Sequence, residues 1–135
     1  VLRDDIAEII TRAIVGAQEQ GALPAFEIPP VEITRPKDPA HGDYSTSIAM
    51  QLARVARVAP LEIARAIVAQ LPQTDYIEGA EIAAPGFINL RLNPRWLAGQ
   101  VARIEAEGDA YGNINLGLDA VCQVEFISAN PTGPL

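Results

Sequence analysis

Few side chains in this chain have the type and spacing to do chemistry, and they gather in two places. The first is the run Phe87-Ile-Asn-Leu-Arg-Leu92. As a strand its residues alternate between faces, so Ile88, Leu90 and Leu92 form one apolar face and Phe87, Asn89 and Arg91 form the other. A ring, an amide and a guanidinium on an open sheet surface can stack on a nucleobase, hydrogen-bond its edge and neutralise a phosphate. Stacking on one aromatic is worth roughly 1–3 kcal/mol. The same pattern also suits a ring that merely covers a hairpin edge, since aromatics are common in strands. Alternation alone leaves both readings open.

The second place is the end of the chain. An apolar run, residues 121–127, leads into Ser128, Ala129, Asn130, Pro131 and Thr132, then Gly133, Pro134 and Leu135. Hydroxyls, an amide and a glycine at the carboxyl end of a buried strand are how open α/β sheets build ligand crevices. Glu125, inside that run, would need a partner if buried; a salt bridge and a substrate contact both qualify.

Other chemistries are poorly served. His41 is the sole histidine and has no second histidine or cysteine at ligand spacing, so a metal site is not expected. Cys122 is the sole cysteine and reads as a structural thiol in apolar surroundings. The sequence contains no nucleophile–base arrangement, glycine-rich phosphate loop or paired-cysteine motif, so no self-sufficient catalytic site is expected. The net charge is −7, from ten basic and seventeen acidic residues. That speaks against a broad basic footprint for nucleic acid, so any RNA contact must be small and rest on stacking. No apolar run approaches the ~18 residues of a membrane span, and no basic-then-apolar leader is visible. The first residue is Val1 rather than methionine, as expected of a trimmed chain.

The elements that must position these residues follow from periodicity and punctuation. Leu2, Ile6, Ile9, Ile10, Ala13, Ile14 and Ala17 recur at helical spacing, with Gly21 as a stop. Pro29 and Pro30 enforce an extended connection into residues 31–35, which alternate as a strand. Residues 36–42 read as a rigid loop. Asp43 or Ser45 is expected to cap a helix buried through Ile48, Ala49, Leu52 and Ala56. Pro60 opens the next helix. Residues 81–84 and 87–92 flank Pro85-Gly86 as a hairpin. Asn93 caps a last helix bearing Leu97, Val101 and Ile104, which ends at Gly108. The expected fold is α+β: a small, mostly antiparallel sheet covered by helices over residues 1–108, a linker at 109–120, and a truncated Rossmann-like strand from 121 to 135. That strand would lack neighbours, and an unpaired apolar edge invites pairing with a second copy.

Three strings add a family resemblance. Val124-Glu-Phe-Ile-Ser-Ala-Asn-Pro-Thr-Gly-Pro-Leu135 resembles the entry to the catalytic domain of arginyl-tRNA synthetases, a class I family. His41-Gly-Asp-Tyr-Ser-Thr-Ser-Ile-Ala-Met-Gln-Leu-Ala53 and Ala84-Pro-Gly-Phe-Ile-Asn-Leu-Arg-Leu92 resemble strings of that family's N-terminal additional domain. Ser47 stands where the family usually has asparagine. The resemblance implies a parent that joins arginine to tRNA(Arg) with ATP and Mg²⁺ in the cytoplasm. It implies that Phe87 and Asn89, with Arg91 beside them, read a base in the D-loop at the tRNA elbow. It assigns Ser128, Ala129 and Asn130 to the arginine's α-amino and carboxylate groups. Pro131, Thr132, Gly133, Pro134 and Leu135 would begin the ATP signature, whose His-x-Gly-His portion is not in this sequence. The His-Gly-Asp-Tyr string would be structural, with Asp43 a cap. The chain alone is expected to be inactive and to bind no cofactor. The rival expectation is a non-catalytic interaction domain that docks a protein through its acidic surface and Phe87.

Overall fold

A computed structural model describes residues 2–113, 120–121 and 123–125. Its first element, α1 (Leu2–Glu19), buries Ile6, Ile9, Ile10, Ala13, Ile14 and Ala17 along one stripe. Asp4 and Asp5 sit in its first turn, where negative charge suits the helix dipole. The helix ends as its punctuation predicts. Gly21 adopts φ +74°, and the amides of Ala22 and Leu23 both donate to the Ala17 carbonyl.

Residues 24–33 have no regular secondary structure, and Gln18 Nε2 donates to the Pro24 and Phe26 carbonyls at 3.1 and 3.2 Å. The strand expected at residues 31–35 reduces to a single bridge, Thr34 with Ser45, closed by reciprocal backbone bonds of 2.9 and 2.8 Å. Flanking prolines at 29, 30 and 36 remove ladder donors and confine the pairing to that one point.

Neither Asp43 nor Ser45 caps a helix, contrary to expectation. Tyr44–Thr46 is a strand, β1, and the helix begins afterwards as α2, Ile48–Ala56. The Ile48 amide donates to Thr46 Oγ1 at 3.3 Å. Three consecutive buried residues hid this strand from any alternation test: Tyr44 faces the core, Ser45 lies under a loop, and Thr46 bonds the helix start. Helix α3 (Pro60–Ala69) opens on its proline as expected. A hairpin follows, β2 (Ile77–Ala83) and β3 (Phe87–Leu92), turning through a cis Ala84–Pro85 bond. Gly86 is required there for space, because a Cβ would lie 2.7 Å from Pro60 Cβ.

The sheet is antiparallel in the order β1-β3-β2. Helices α1, α2 and α3 form one layer over one sheet face, and Ile88, Leu90 and Leu92 point into the core between them. Among the described residues the opposite face carries no α-helix.

The last helix, α4 (Pro94–Glu107), is capped by Asn93 through the Arg95 amide. It meets the domain through Trp96, whose ring lies 5.8 Å from that of Tyr76. Burial, with Asp5 and then Glu8 adding to it, pushes the Tyr76 hydroxyl above its ordinary pKa. Leu97, Val101 and Ile104 remain 41%, 57% and 41% exposed.

The strand expected from residue 121 does not form over its described part. Val121, Gln123, Val124 and Glu125 have no regular structure and are exposed, Val121 to 99%. Among the described residues no neighbouring strand is available to pair them, and Glu125 needs no buried partner. Cys122 and residues 126–127 lie outside the described residues.

Candidate nucleic-acid interface

The helix-free sheet face is built around β3. Cross-strand register sets Ser45 and Glu81 on either side of Asn89, Ala83 beside Phe87, and Gly79 beside Arg91. Paired residues share a face, so the surface is a grid with Phe87, Asn89 and Arg91 along its centre. Two of the flanking positions are small, Ala83 and Gly79, and Phe87 keeps 38% of its surface exposed.

A loop fixes one side of this grid. Asp38 accepts from the Ala40 amide at 2.9 Å and opens a 3-10 turn, Pro39–His41. Gly42 then takes φ +90°, ψ −168°, a region that only glycine enters readily. A Cβ at Gly42 would lie 2.7 Å from the Leu90 carbonyl oxygen. The Asp43 amide donates to that same oxygen at 2.9 Å, and the Asp43 carboxylate accepts from the Leu92 amide at 2.7 Å. The string His41-Gly-Asp-Tyr is therefore structural as expected, but it clamps the end of β3 instead of capping a helix. His41 contributes its backbone amide to the turn and is itself exposed.

Between loop and sheet lies a cavity of about 440 Å³, lined by Arg35, Pro36, Lys37, His41, Phe87 and Asn89 among others. A second cavity of about 340 Å³ lies on the β2 side, lined by Glu78, Glu81, Asn89 and Arg91 together with His41 and Gly42. Asn89 and His41 line both.

Placement of the expected trio holds for two members and needs revision for one. Phe87 and Arg91 are exposed on the open face. Asn89 is not in open water but only 7% exposed, because the residue 34–41 loop folds over it. Its Oδ1 accepts from Ser45 Oγ at 2.7 Å. Its amide nitrogen has no protein partner among the described residues, yet no side-chain polar atom that is both buried and unsatisfied exists there. That nitrogen is therefore reachable from a cavity. Arg91 gives a long hydrogen bond of 3.4 Å to the Ala40 carbonyl, tying loop to sheet.

Charge is distributed unevenly across the grid. Arg35 lies over the Tyr44 ring at 5.7 Å, and Lys37 makes no ion pair among the described residues. The arginines that are paired, Arg12, Arg65 and Arg103, bond glutamates on exposed helix surfaces. The loop wall is thus basic and the β2 wall acidic. Ser45, expected only as a helix cap, and Glu81 were not assigned to this site from sequence; the hairpin register that flanks Asn89 with Glu81 was the one available signal. No cluster among the described residues could hold a metal ion, and no described helix is long and apolar enough to cross a membrane. Ser128, Ala129, Asn130, Pro131, Thr132, Gly133, Pro134 and Leu135 lie outside the described residues.

A family model described as the arginyl tRNA synthetase N terminal domain matches residues 2–92, the segment that holds the sheet, its helices and this face. The chain belongs to that family. It is 45% identical over 134 residues to an arginine–tRNA ligase of Thioalkalivibrio sulfidiphilus, covering 99% of this chain and 23% of the relative. It is 47% identical over 135 residues to one of Geobacillus kaustophilus, covering 99% and 24%. The chain therefore spans about a quarter of the length of the curated relatives it matches. Among solved structures, Thermus thermophilus arginyl-tRNA synthetase aligns with a TM-score of 0.55 at 26% identity, over 74% of this chain and 15% of that one. The Plasmodium falciparum enzyme aligns with a TM-score of 0.63 over 76% of this chain and 18% of that one. At 16% identity that second likeness shows the fold alone.

Proposed function

We propose that this chain is the tRNA-contacting part of an arginine–tRNA ligase and that its open sheet face reads one unpaired base at the elbow of tRNA(Arg), in the D-loop. The observation that carries the reading is the Phe87–Asn89 pair. An exposed ring and a nearly buried amide with an unengaged nitrogen share one cavity, beneath a loop bearing Arg35 and Lys37. A base stacks on Phe87, Asn89 donates to its edge, and the loop cations lie where a phosphate would pass. Arg91 keeps the loop in place and adds positive charge. This is a small contact, consistent with a chain of net charge −7.

Within the parent, arginine and ATP with Mg²⁺ are the substrates, Ser128, Ala129 and Asn130 are assigned to arginine, and Pro131 to Leu135 begin the ATP site. The setting is cytoplasmic. In this family context the face supplies binding and orientation of the tRNA, remote from the acceptor end.

Gel retardation of tRNA(Arg) by wild type and Phe87→Ala tests the reading. Loss of one stacking contact is worth roughly 1–3 kcal/mol, so the variant should bind about tenfold or more weakly while staying folded. Absence of retardation by both proteins would remove the proposal. A second reading, a protein-docking domain, is favoured by the exposed stripe Leu97, Val101 and Ile104 on α4, since contiguous exposed apolar surface marks interaction sites. It predicts no RNA footprint on β3.

A further inference from the structure

Phe87 can stack on any base and Asn89 donates to any edge acceptor, so neither alone makes the site selective. We infer that Glu81 is a specificity-determining residue of this site, accepting a hydrogen bond from an N–H on the edge of the base that Phe87 stacks. The inference rests on the RNA-reading proposal above.

Three observations lead to it. Glu81 is the direct cross-strand partner of Asn89 and shares its face. It is exposed, makes no ion pair among the described residues, and lines the cavity on the β2 side with Asn89. Asn89, only 7% exposed, has its oxygen engaged by Ser45 and its nitrogen unpartnered. An unpaired donor and an unpaired acceptor thus stand side by side without satisfying each other. A carboxylate accepts only, so the pair is complementary to an edge offering one acceptor and one adjacent N–H. The Watson–Crick edge of each unpaired base offers an acceptor beside an N–H, and pairing occupies that edge, so the two side chains select an exposed base over a paired one.

The charge distribution orients the nucleotide. Glu78 and Glu81 repel phosphate from the β2 side of a cavity that Arg91 also lines, and Arg35 and Lys37 attract it to the loop. The backbone therefore runs along the loop, and the base edge points across Asn89 towards β2. Glu81 then does two things: it engages an N–H, and it excludes an edge that presents acceptors alone, where two sets of lone pairs would oppose each other.

The test is fluorescence anisotropy of the whole chain with the D-arm hairpin of tRNA(Arg). Each loop base in turn is replaced by an analogue without edge N–H groups: purine riboside for purines, 2-pyrimidinone riboside for pyrimidines. These delete donors without adding bulk. At one loop position the replacement should weaken wild-type binding about tenfold, the scale of one good edge contact. Glu81→Ala should bind the unmodified hairpin about tenfold more weakly and should not distinguish it from the analogue beyond about twofold. Phe87→Ala should weaken both hairpins while keeping the wild-type ratio. Lys37→Ala should weaken both equally and reduce the salt slope by about one. The inference is overturned if Glu81→Ala keeps the wild-type ratio, or if no loop position responds in wild type. A wild type that binds no hairpin at all sinks the RNA-reading proposal itself, and this inference with it.

Discussion

Replacing Gly42 with alanine should damage this domain more than its position in an exposed loop suggests. Two effects add. The backbone at φ +90°, ψ −168° lies in a region costing a residue with a Cβ about 1–3 kcal/mol. The new Cβ would also lie 2.7 Å from the Leu90 oxygen and 3.2 Å from its carbonyl carbon. Both are backbone atoms of the central strand and cannot rotate away, so the turn itself must lift. Lifting it strains the bond from the Asp43 amide to Leu90 and the bond from the Leu92 amide to the Asp43 carboxylate. Bonds of these kinds contribute about 1 and about 2 kcal/mol. Losing half of that together with the backbone term gives a destabilisation of about 2.5–4.5 kcal/mol. At roughly 4 °C per kcal/mol the melting temperature should fall by about 10–18 °C. Urea denaturation followed by circular dichroism measures the first quantity and thermal melting the second. Gly79→Ala is the control, because a Cβ there meets nothing within 4 Å, and it should change stability by less than about 0.5 kcal/mol. A Gly42→Ala protein within about 1 kcal/mol of wild type would refute the clamp.

Leu90→Ala should cost about 2–5 kcal/mol and Phe87→Ala less than about 1 kcal/mol by the same denaturation assay, because Leu90 is fully buried and Phe87 is not. Asn89→Ala should cost about 1–2 kcal/mol, since it leaves Ser45 Oγ without its acceptor. Arg57 ends α2 in the left-handed region at φ 54°, ψ 37°, so Arg57→Gly should raise stability by about 0.5 kcal/mol, the left-handed penalty offset in part by glycine's larger unfolded entropy. The chain spans about a quarter of its relatives and is expected to show no arginine-dependent exchange of pyrophosphate into ATP; measurable exchange by the purified chain would contradict that.

What could be read from sequence was whatever periodicity or punctuation carries. The stripe of α1, the proline that opens α3, the Asn93 cap and the alternation of Ile88, Leu90 and Leu92 are local signals, and each element appears where they place it. The misread parts depend on contacts distant in sequence. Tyr44–Thr46 is a strand because it pairs with β3, and nothing within three buried residues reveals that. Residues 31–35 alternate convincingly, yet they have only Ser45 to pair with. Asn89 sits on the polar side of its strand as alternation requires, but a loop some fifty residues upstream buries it, and no pattern within β3 encodes that cover. Glu81 gained meaning only when register set it opposite Asn89. The exposure of Leu97, Val101 and Ile104 was equally hidden, because amphipathic spacing says which residues share a face and not whether anything covers it.

The central claim is that RNA meets this chain on the helix-free sheet face. A titration of the ¹⁵N-labelled chain with tRNA(Arg), followed by backbone amide shifts, tests it residue by residue. The amides of residues 34–42, 79–83 and 87–91 should move in a saturable manner, while those of residues 97–104 on α4 stay unchanged. Saturable shifts confined to α4, or no saturable shifts at all, would contradict the account.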